Sequence, residues 1–480
     1  MASLPAHTPL LPRIDMADID KPDGGRLPAS ASGPAPVHRG QRLRLAVGTS
    51  AISKVLGAVS QIITLPILLT TLGAERFAAY LALTALVAWV APMGLGILPA
   101  LTRQLASAAV SEDRAMEARL FGAGFWFTGL LATAILAGSL WVALSFDVRR
   151  MIGPFEGIAQ SELQLGFAIA MGLTATFFFG NMSAAVRTGY QEFHFSNALS
   201  IIANLVTIIA VVALAGSGAD IGLFVVAVYA PLTFVMVLDI GRIVVGRPWL
   251  WPPAFPAEKG MLKGDLAPLF RTSGVTWISQ LYGFLAFHGS ILLVSNQFSA
   301  DDTASFGSVV RATLLGHAVI GFYVYPLVPA VTDAFVRGDR QWAMMSWRRS
   351  MLVTLALVGP ASVVFMIAGP SIMQLWLGAE IIVPPLMAIG FGLFFLGFNF
   401  NFVGFNFCLS LGATHGLGFT YLVEAALFAT LAHVLAPIHG ASGIALALGI
   451  ASVAVNFWVL PIRAWKRLGE VGIPSERGKT

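Results

Sequence analysis

Along most of this chain polar residues are too sparse to define faces; long apolar runs follow one another, separated by short polar breaks. Runs long enough to cross a bilayer, about 20 residues each, fall at roughly 45–70, 77–101, 121–146, 164–186, 197–216, 220–241, 273–296, 304–333, 350–369, 383–410, 416–437 and 441–462. They predict an all-α polytopic membrane protein with about twelve transmembrane helices. Membrane strands would be about half as long and would alternate apolar with polar positions, and these runs do neither.

The pattern repeats. TSAISKV at Thr49 returns as TSGVTWI at Thr272, LGAERFAAY at Leu72 as FSADDTASF at Phe298, and LPALT at Leu98 as VPAVT at Val328. The polar break Glu112-Asp113-Arg114 returns as Gly338-Asp339-Arg340. Six helices per half is an even number, so both copies enter from the same side. Such parallel repeats are related by an axis along the membrane normal, with a substrate site between them near the midplane. The predicted organisation is a disordered cytoplasmic tail at 1–44, a six-helix bundle at 45–245, and an interfacial linker at 246–272. A second six-helix bundle follows at 273–462, then a basic tail at 463–480. The Pro- and Trp-rich start of the linker (Pro248, Trp249, Trp251, Pro252, Pro253) suits the membrane interface better than a folded module.

Composition sharpens this picture. Of 480 residues 57% are hydrophobic and only 11% charged, against about 25% charged in a soluble domain. The single Cys408 lies in an apolar run, which excludes a disulfide framework and a thiolate metal site. A net charge of +5 raises nucleic acid as a partner, but the cations lie in loops and tails rather than on one basic face. With the N-terminus cytoplasmic, only Arg76, Arg149 and Arg150 of the 29 basic residues fall outside, and Lys54 and Arg311 lie within spans. The positive-inside rule therefore predicts a multi-pass plasma-membrane protein with both termini cytoplasmic. Residues 1–44 hold no apolar run of signal-peptide length.

The polar groups inside the spans are the candidate chemistry. Ser50, Lys54, Gly57 and Gln61 form one helical stripe, as a wall facing a water-filled cavity would. Snorkelling to the interface is the other reading of Lys54, but Gln61, two turns deeper, is beyond that reach. Arg311 lies about two turns from the outer end of its helix and would cost about 2.5–3.5 kcal/mol facing lipid. In the repeat Lys54 aligns with Trp277 and Arg311 with Ala85, so the scaffold does not need either charge. His317 sits six residues beyond Arg311, about 120° around the helix, so the two do not point at one cavity centre. It and His288 are open between structural and binding roles. Glu424 is read as the one carboxylate well inside a span, either an ion-coupling group or the partner of a base. Asn399 and Asn406 share a face with Asn401 off it; interhelical hydrogen bonding and sugar binding both account for them. No Walker-type phosphate loop, HExxH or CxxC is present. No cofactor or metal is expected, and energy must come from a gradient or another protein.

The first-helix run ISKVLGAVSQIITLPILLTTLG with the following FAAYLAL, the segment RTGYQEFHFSNALSIIANLVT and the segment IMQLWLGAEI resemble polysaccharide (O-antigen or exopolysaccharide) flippases of the multidrug/oligosaccharidyl-lipid/polysaccharide exporter superfamily. The resemblance covers roughly residues 45–465. It implies two six-helix bundles around a basic cavity with alternating access, moving a polyprenyl-diphosphate-linked oligosaccharide from the inner to the outer leaflet. Its partners would be the lipid-linked substrate, membrane lipid and polysaccharide-assembly proteins. Related lipid II flippases use basic residues in the first and eighth helices, where Lys54 and Arg311 lie; their first-helix residue is typically arginine, with a bidentate grip that lysine lacks. The substrate-binding set is then Arg311, Lys54, Gln61, His288, His317, Asn399 and Asn406, with Glu424 for ion coupling. A cation-coupled multidrug exporter of the same fold is the main alternative. A membrane glycosyltransferase or polysaccharide polymerase is the minor one, disfavoured by short outer loops and the lack of a clustered acid/base pair.

Overall fold

The computed structural model describes residues 36–90, 97–253 and 277–469. Two units are distinguished, Met1–Leu45 and Ala46–Thr480. Of the first, residues 36–45 are described and are helical, so the last part of the expected disordered tail is structured. The expectations for 1–35, for most of the linker (254–276) and for the tail beyond 469 lie outside the described residues.

The second unit is a succession of helices: α1 (Gly48–Ala88), α2 (Ile97–Val110), α3 (Arg114–Ser145), α4 (Gln160–Gly189), α5 (Phe193–Leu214) and α6 (Ile221–Gly246). The second half supplies α7 (Trp277–Gln297), α8 (Ala300–Val336), α9 (Arg340–Leu377), α10 (Pro385–Ser410), α11 (Leu417–His439) and α12 (Ala441–Gly469). Eleven of these are long and apolar enough to cross a membrane; α2 is the exception. The first of them, α1, contains two passes, because Gly73 turns the chain there (φ 73°, ψ 167°). The described residues thus hold eleven candidate spans, the first of them two helices merged at Gly73, which fits the expected number of about twelve, and the chain is a multi-pass membrane protein.

Several helices outrun their apolar segments. α9 has 38 residues and so is about 57 Å long, against about 30 Å of hydrocarbon. Arg114, Arg119, Arg340, Arg348 and Arg349, expected in loops, sit in the first turns of α3 and α9 instead. What starts these helices is the same in both halves. Asp113 accepts a hydrogen bond from the Met116 amide at 2.9 Å and Asp339 from the Trp342 amide at 3.0 Å. Each follows a residue in the left-handed region, Glu112 (φ 55°) and Gly338 (φ 80°). Each is also closed by the same reverse bond, from the Asp113 amide to the Ala108 carbonyl and from the Asp339 amide to the Ala334 carbonyl. The weak sequence echo is thus one capped turn built twice.

Small residues set how tightly helices pack where lipid offers no hydrophobic drive for association. Gly390, Gly397 and Gly404 recur every seven residues on α10 and face α12, where added β-carbons would strike Ala445, Ser452 and Leu460 at 2.4, 2.7 and 2.8 Å. The two halves meet on a similar contact: a β-carbon at Gly307 on α8 would lie 2.8 Å from Leu81 on α1. The register that aligns Leu72 with Phe298 also aligns Leu81 with Gly307, so equivalent positions of the repeat touch each other, as residues beside a pseudo-twofold axis do.

Candidate functional site

Among the described residues, two hydrogen bonds that tie the halves together near this axis lie towards one end. Asn296 on α7 donates to the Met151 carbonyl at 3.1 Å, and Arg311 on α8 donates through Nη2 to Thr84 Oγ1 at 2.8 Å. This is the end that carries residues 146–160 and 297–300. Towards the other end α8 exposes two of its aromatic residues: Phe322 and Tyr325 are 36% and 58% exposed.

Between them lies a cavity of about 600 Å³. It runs from Leu68 and Tyr80 at the closed end to Leu98 and Asn181 in the direction of the other. The first half contributes most of the wall. Ser60, Gln61, Thr64, Thr84, Thr174, Thr207 and Thr233 add hydroxyls and an amide, and Phe177, Phe178 and Tyr229 add aromatic faces. The second half contributes Gln280, His288 and Arg311. Among the described residues Arg311 is the one lining residue with a fixed charge, and no carboxylate lines the cavity.

Local structure explains how each side chain reaches the cavity. His288 sits in a π-helical turn, Leu285–Gly289, inside α7; the extra residue in such a turn re-aims the side chains around it. Its ring stacks on Phe284 with centroids 5.5 Å apart, and its Nδ1 is buried without a hydrogen-bond partner. Thr84 Oγ1 donates to the Leu81 carbonyl at 3.1 Å and accepts from Arg311, which fixes one guanidinium arm. Thr64 Oγ1 is a second buried polar atom without a partner in this wall. Pro66 lacks the amide that would bond the Ile62 carbonyl, and Trp376 Nε1 of α9 supplies that donor at 3.0 Å.

Of the sequence-predicted residues, Arg311, Gln61 and His288 come together here. Lys54 is exposed and does not line the cavity; its Nζ lies 4.7 Å from the centre of the Phe322 ring, bridging the halves on the open side. Gln61 is seven residues deeper along the same helix, about 10 Å. His317 and Asn399 are not cavity residues. They pair with each other, Nδ1 to Oδ1 at 2.9 Å, and His317 is edge-on to Phe398 and Phe402. Asn406, also outside the cavity, donates back to the Phe402 carbonyl at 2.8 Å. Each member of this trio thus has a hydrogen-bond partner within the second half.

Glu424 is fully buried within the second half, away from the cavity wall. Tyr282 Oη donates to its Oε1 at 2.7 Å, Asn401 Nδ2 to the same oxygen at 3.1 Å, and Asn456 Nδ2 to Oε2. The amide oxygens of Asn401 and Asn456 are buried with no partner. Asn401, set apart from Asn399 and Asn406 by helical spacing, is thus the asparagine of α10 that meets the carboxylate. Tyr282 and Asn456 had no local signal, since they arrive from α7 and from a break in α12 at Val455 (φ −107°, ψ −85°).

Nor is Glu424 the one buried acid. Asp239 on α6 is 2% exposed and takes both arms of Arg187, at 2.7 and 3.1 Å. Arg187 Nη1 also donates to Glu192 at 2.7 Å, and Glu192 receives Arg247 at 2.5 Å. Tyr190 and Trp249 both donate to Glu117 Oε2, at 2.6 and 2.9 Å. Burial first, and then the bond to Glu117, pushes the Tyr190 hydroxyl pKa upward. Arg187 and Arg247, expected as loop cations, are therefore structural: through Asp239 and Glu192 they join the ends of α4 and α6, while Trp249 of the Pro-Trp segment holds α3 through Glu117.

No protein-family profile and no curated protein sequence matches this chain. Its fold is found in solved transporters at low identity. An inward-facing multidrug resistance MATE family transporter of the MOP superfamily aligns with a TM-score of 0.68 at 13% identity, over 87% of this chain and 94% of that one. A MOP superfamily transporter from Pyrococcus furiosus, described as having a binding pocket of reverse polarity that suggests a different function, aligns at 0.63 and 12% identity, over 88% and 95%. The lipid II flippase MurJ in an inward closed conformation aligns at 0.61 and 13% identity, over 88% and 87%. At these identities the likeness establishes the fold.

Proposed function

We propose that this protein is a membrane transporter that flips a polyprenyl-diphosphate-linked oligosaccharide from the inner to the outer leaflet, serving cell-surface polysaccharide synthesis. The observation that carries the reading is the charge of the cavity wall: among the described residues Arg311 alone is charged there, amid hydroxyls, amides and aromatic faces. A guanidinium in a low-dielectric wall attracts phosphate oxygens and grips them bidentately. Hydroxyls and amides match sugar hydroxyls, and the lipid tail stays in the bilayer between the halves. Lys54, at the open side about 10 Å short of Gln61, is the proposed first contact for the diphosphate. Membrane lipid and polysaccharide-assembly proteins are the expected neighbours in a plasma membrane, with both termini cytoplasmic by the distribution of basic residues.

A cation-coupled multidrug exporter would be expected to hold a carboxylate where a cationic drug binds. None of the described residues lining this cavity is one; Glu424 and Asp239 are enclosed elsewhere. Glu424 instead fits an ion-coupling group, a buried carboxylate with two unpartnered amide oxygens beside it.

The test is transport of a fluorescent polyprenyl-diphosphate glycan in proteoliposomes. Wild type flips it, Arg311→Ala falls to background at normal insertion, and Arg311→Lys binds about ten- to a hundredfold more weakly, the worth of a charge-assisted hydrogen bond. Unimpaired flipping by Arg311→Ala removes Arg311 from the site. Efflux of cationic dyes with no glycan-lipid transport sinks the flippase reading.

A further inference from the structure

A second pocket, of about 670 Å³, lies at the far end of α12, outside the central cavity. The last segment of that helix, Asn456–Gly469, divides into three lengthwise arcs. Asn456, Leu460, Ala464 and Leu468 are buried against the bundle. Trp458, Ile462 and Trp465 are 57%, 44% and 48% exposed, a large apolar stripe turned away from the protein. Between these arcs run Arg463, Lys466 and Arg467, at i, i+3 and i+4 spacing. The pocket sits where the basic arc meets the apolar one: Trp458 and Ile462 form one wall, and Arg463, Lys466, Arg467 and His415 form the polar end.

Two of these three cations have a contact of their own. Arg463 Nη1 donates to the His415 carbonyl at 2.7 Å, which fixes its guanidinium, and Arg467 lies 6.0 Å from the Phe335 ring centre. Neither Arg463 nor Lys466 has a carboxylate partner among the described residues. Cations at a helix C-terminus are favoured by the helix dipole in any case. That accounts for their sign, but not for a pocket walled by an outward tryptophan.

We propose that this pocket is a binding site for the phosphate headgroup of an anionic glycerophospholipid. Arg463 and Lys466 take the phosphate, and the acyl chains lie along Trp458, Ile462 and Trp465. Trp458 and Lys466 are eight residues apart, about 12 Å along the helix, a length suited to a phosphoglycerol unit and the first part of its chains. Free phosphate would engage the same cations but leave the apolar wall uncovered, so the lipid is the occupant that uses the whole pocket. Zwitterionic phosphatidylcholine offers the same chains with its phosphate charge offset. The site is independent of what the central cavity carries.

Native mass spectrometry of the full-length protein tests this, with phosphatidylglycerol titrated against phosphatidylcholine. Wild type retains phosphatidylglycerol in preference. Near an anionic surface each cation contributes roughly a factor of five, so Lys466→Gln binds about fivefold more weakly and Arg463→Gln/Lys466→Gln about thirtyfold, while Lys466→Arg retains it. Lys466→Gln leaves the Arg463–His415 bond in place, so its thermal melt matches wild type and separates lost binding from lost fold. Equal retention of both lipids, or undiminished phosphatidylglycerol binding by both Gln variants, overturns the proposal. Displacement of the lipid by excess inorganic phosphate overturns it in favour of a free-phosphate site.

Discussion

At the scale of single residues, two buried carboxylates lead to opposite expectations. Asp239 is enclosed with Arg187 in a bidentate pair. Asp239→Asn leaves that guanidinium buried and undercompensated, which costs about 3–5 kcal/mol; a lower melting temperature and reduced yield of the purified protein report it. Glu424 is enclosed by neutral donors instead, and Asn401 and Asn456 each keep an amide oxygen unpaired. In Glu424→Gln either asparagine can turn its amide so that oxygen meets the new N–H. The protein therefore folds with a loss of about 1 kcal/mol or less, while, on the proposed flippase and ion-coupling reading, flipping is expected no longer to respond to an imposed ion gradient. A gradient response like that of wild type makes Glu424 structural. Individual polar residues were visible in the sequence as breaks in apolar runs, but their partners were not. Helical spacing grouped Asn399 with Asn406, whereas the contact that matters for Glu424 is made by Asn401 together with residues 119 positions before it and 55 after it.

Helices and their contacts make up the next scale. The recurring small residues of α10 permit its close approach to α12, and at Gly397 an added β-carbon meets Ser452 backbone as well as side chain, at 2.9 and 2.7 Å. Gly397→Leu forces these helices apart and costs about 1–3 kcal/mol or more, read as a lower melting temperature in detergent. At Gly307 the obstruction is the flexible end of Leu81, so Gly307→Ala is tolerated. Gly307→Leu instead separates the halves and raises labelling of a cysteine placed at Thr84. Element positions were largely legible, because a run of about 20 apolar residues has one stable state in hydrocarbon, with every backbone group bonded internally. Element ends were less so: α3 and α9 begin well before their apolar segments, at the capping aspartates, where hydropathy carries no signal.

For the whole molecule, two hydrogen bonds across the pseudo-axis, Arg311 to Thr84 and Asn296 to Met151, lie towards one end. A transporter with alternating access must break them in each cycle. A disulfide or short crosslink between Met151→Cys and Asn296→Cys is expected to reduce transport to background, with recovery on reduction. Unchanged transport in the crosslinked protein excludes opening at this end. Apolar runs, positions of basic residues and a faint internal repeat were enough to define a twelve-pass, two-part helical protein, because water and hydrocarbon sort residues one segment at a time. Which polar groups share a cavity was decided only in three dimensions. A π-turn brought His288 beside Arg311, packing turned His317 to Asn399, and Lys54 stayed at the open side, since the direction of a side chain depends on neighbours hundreds of residues away.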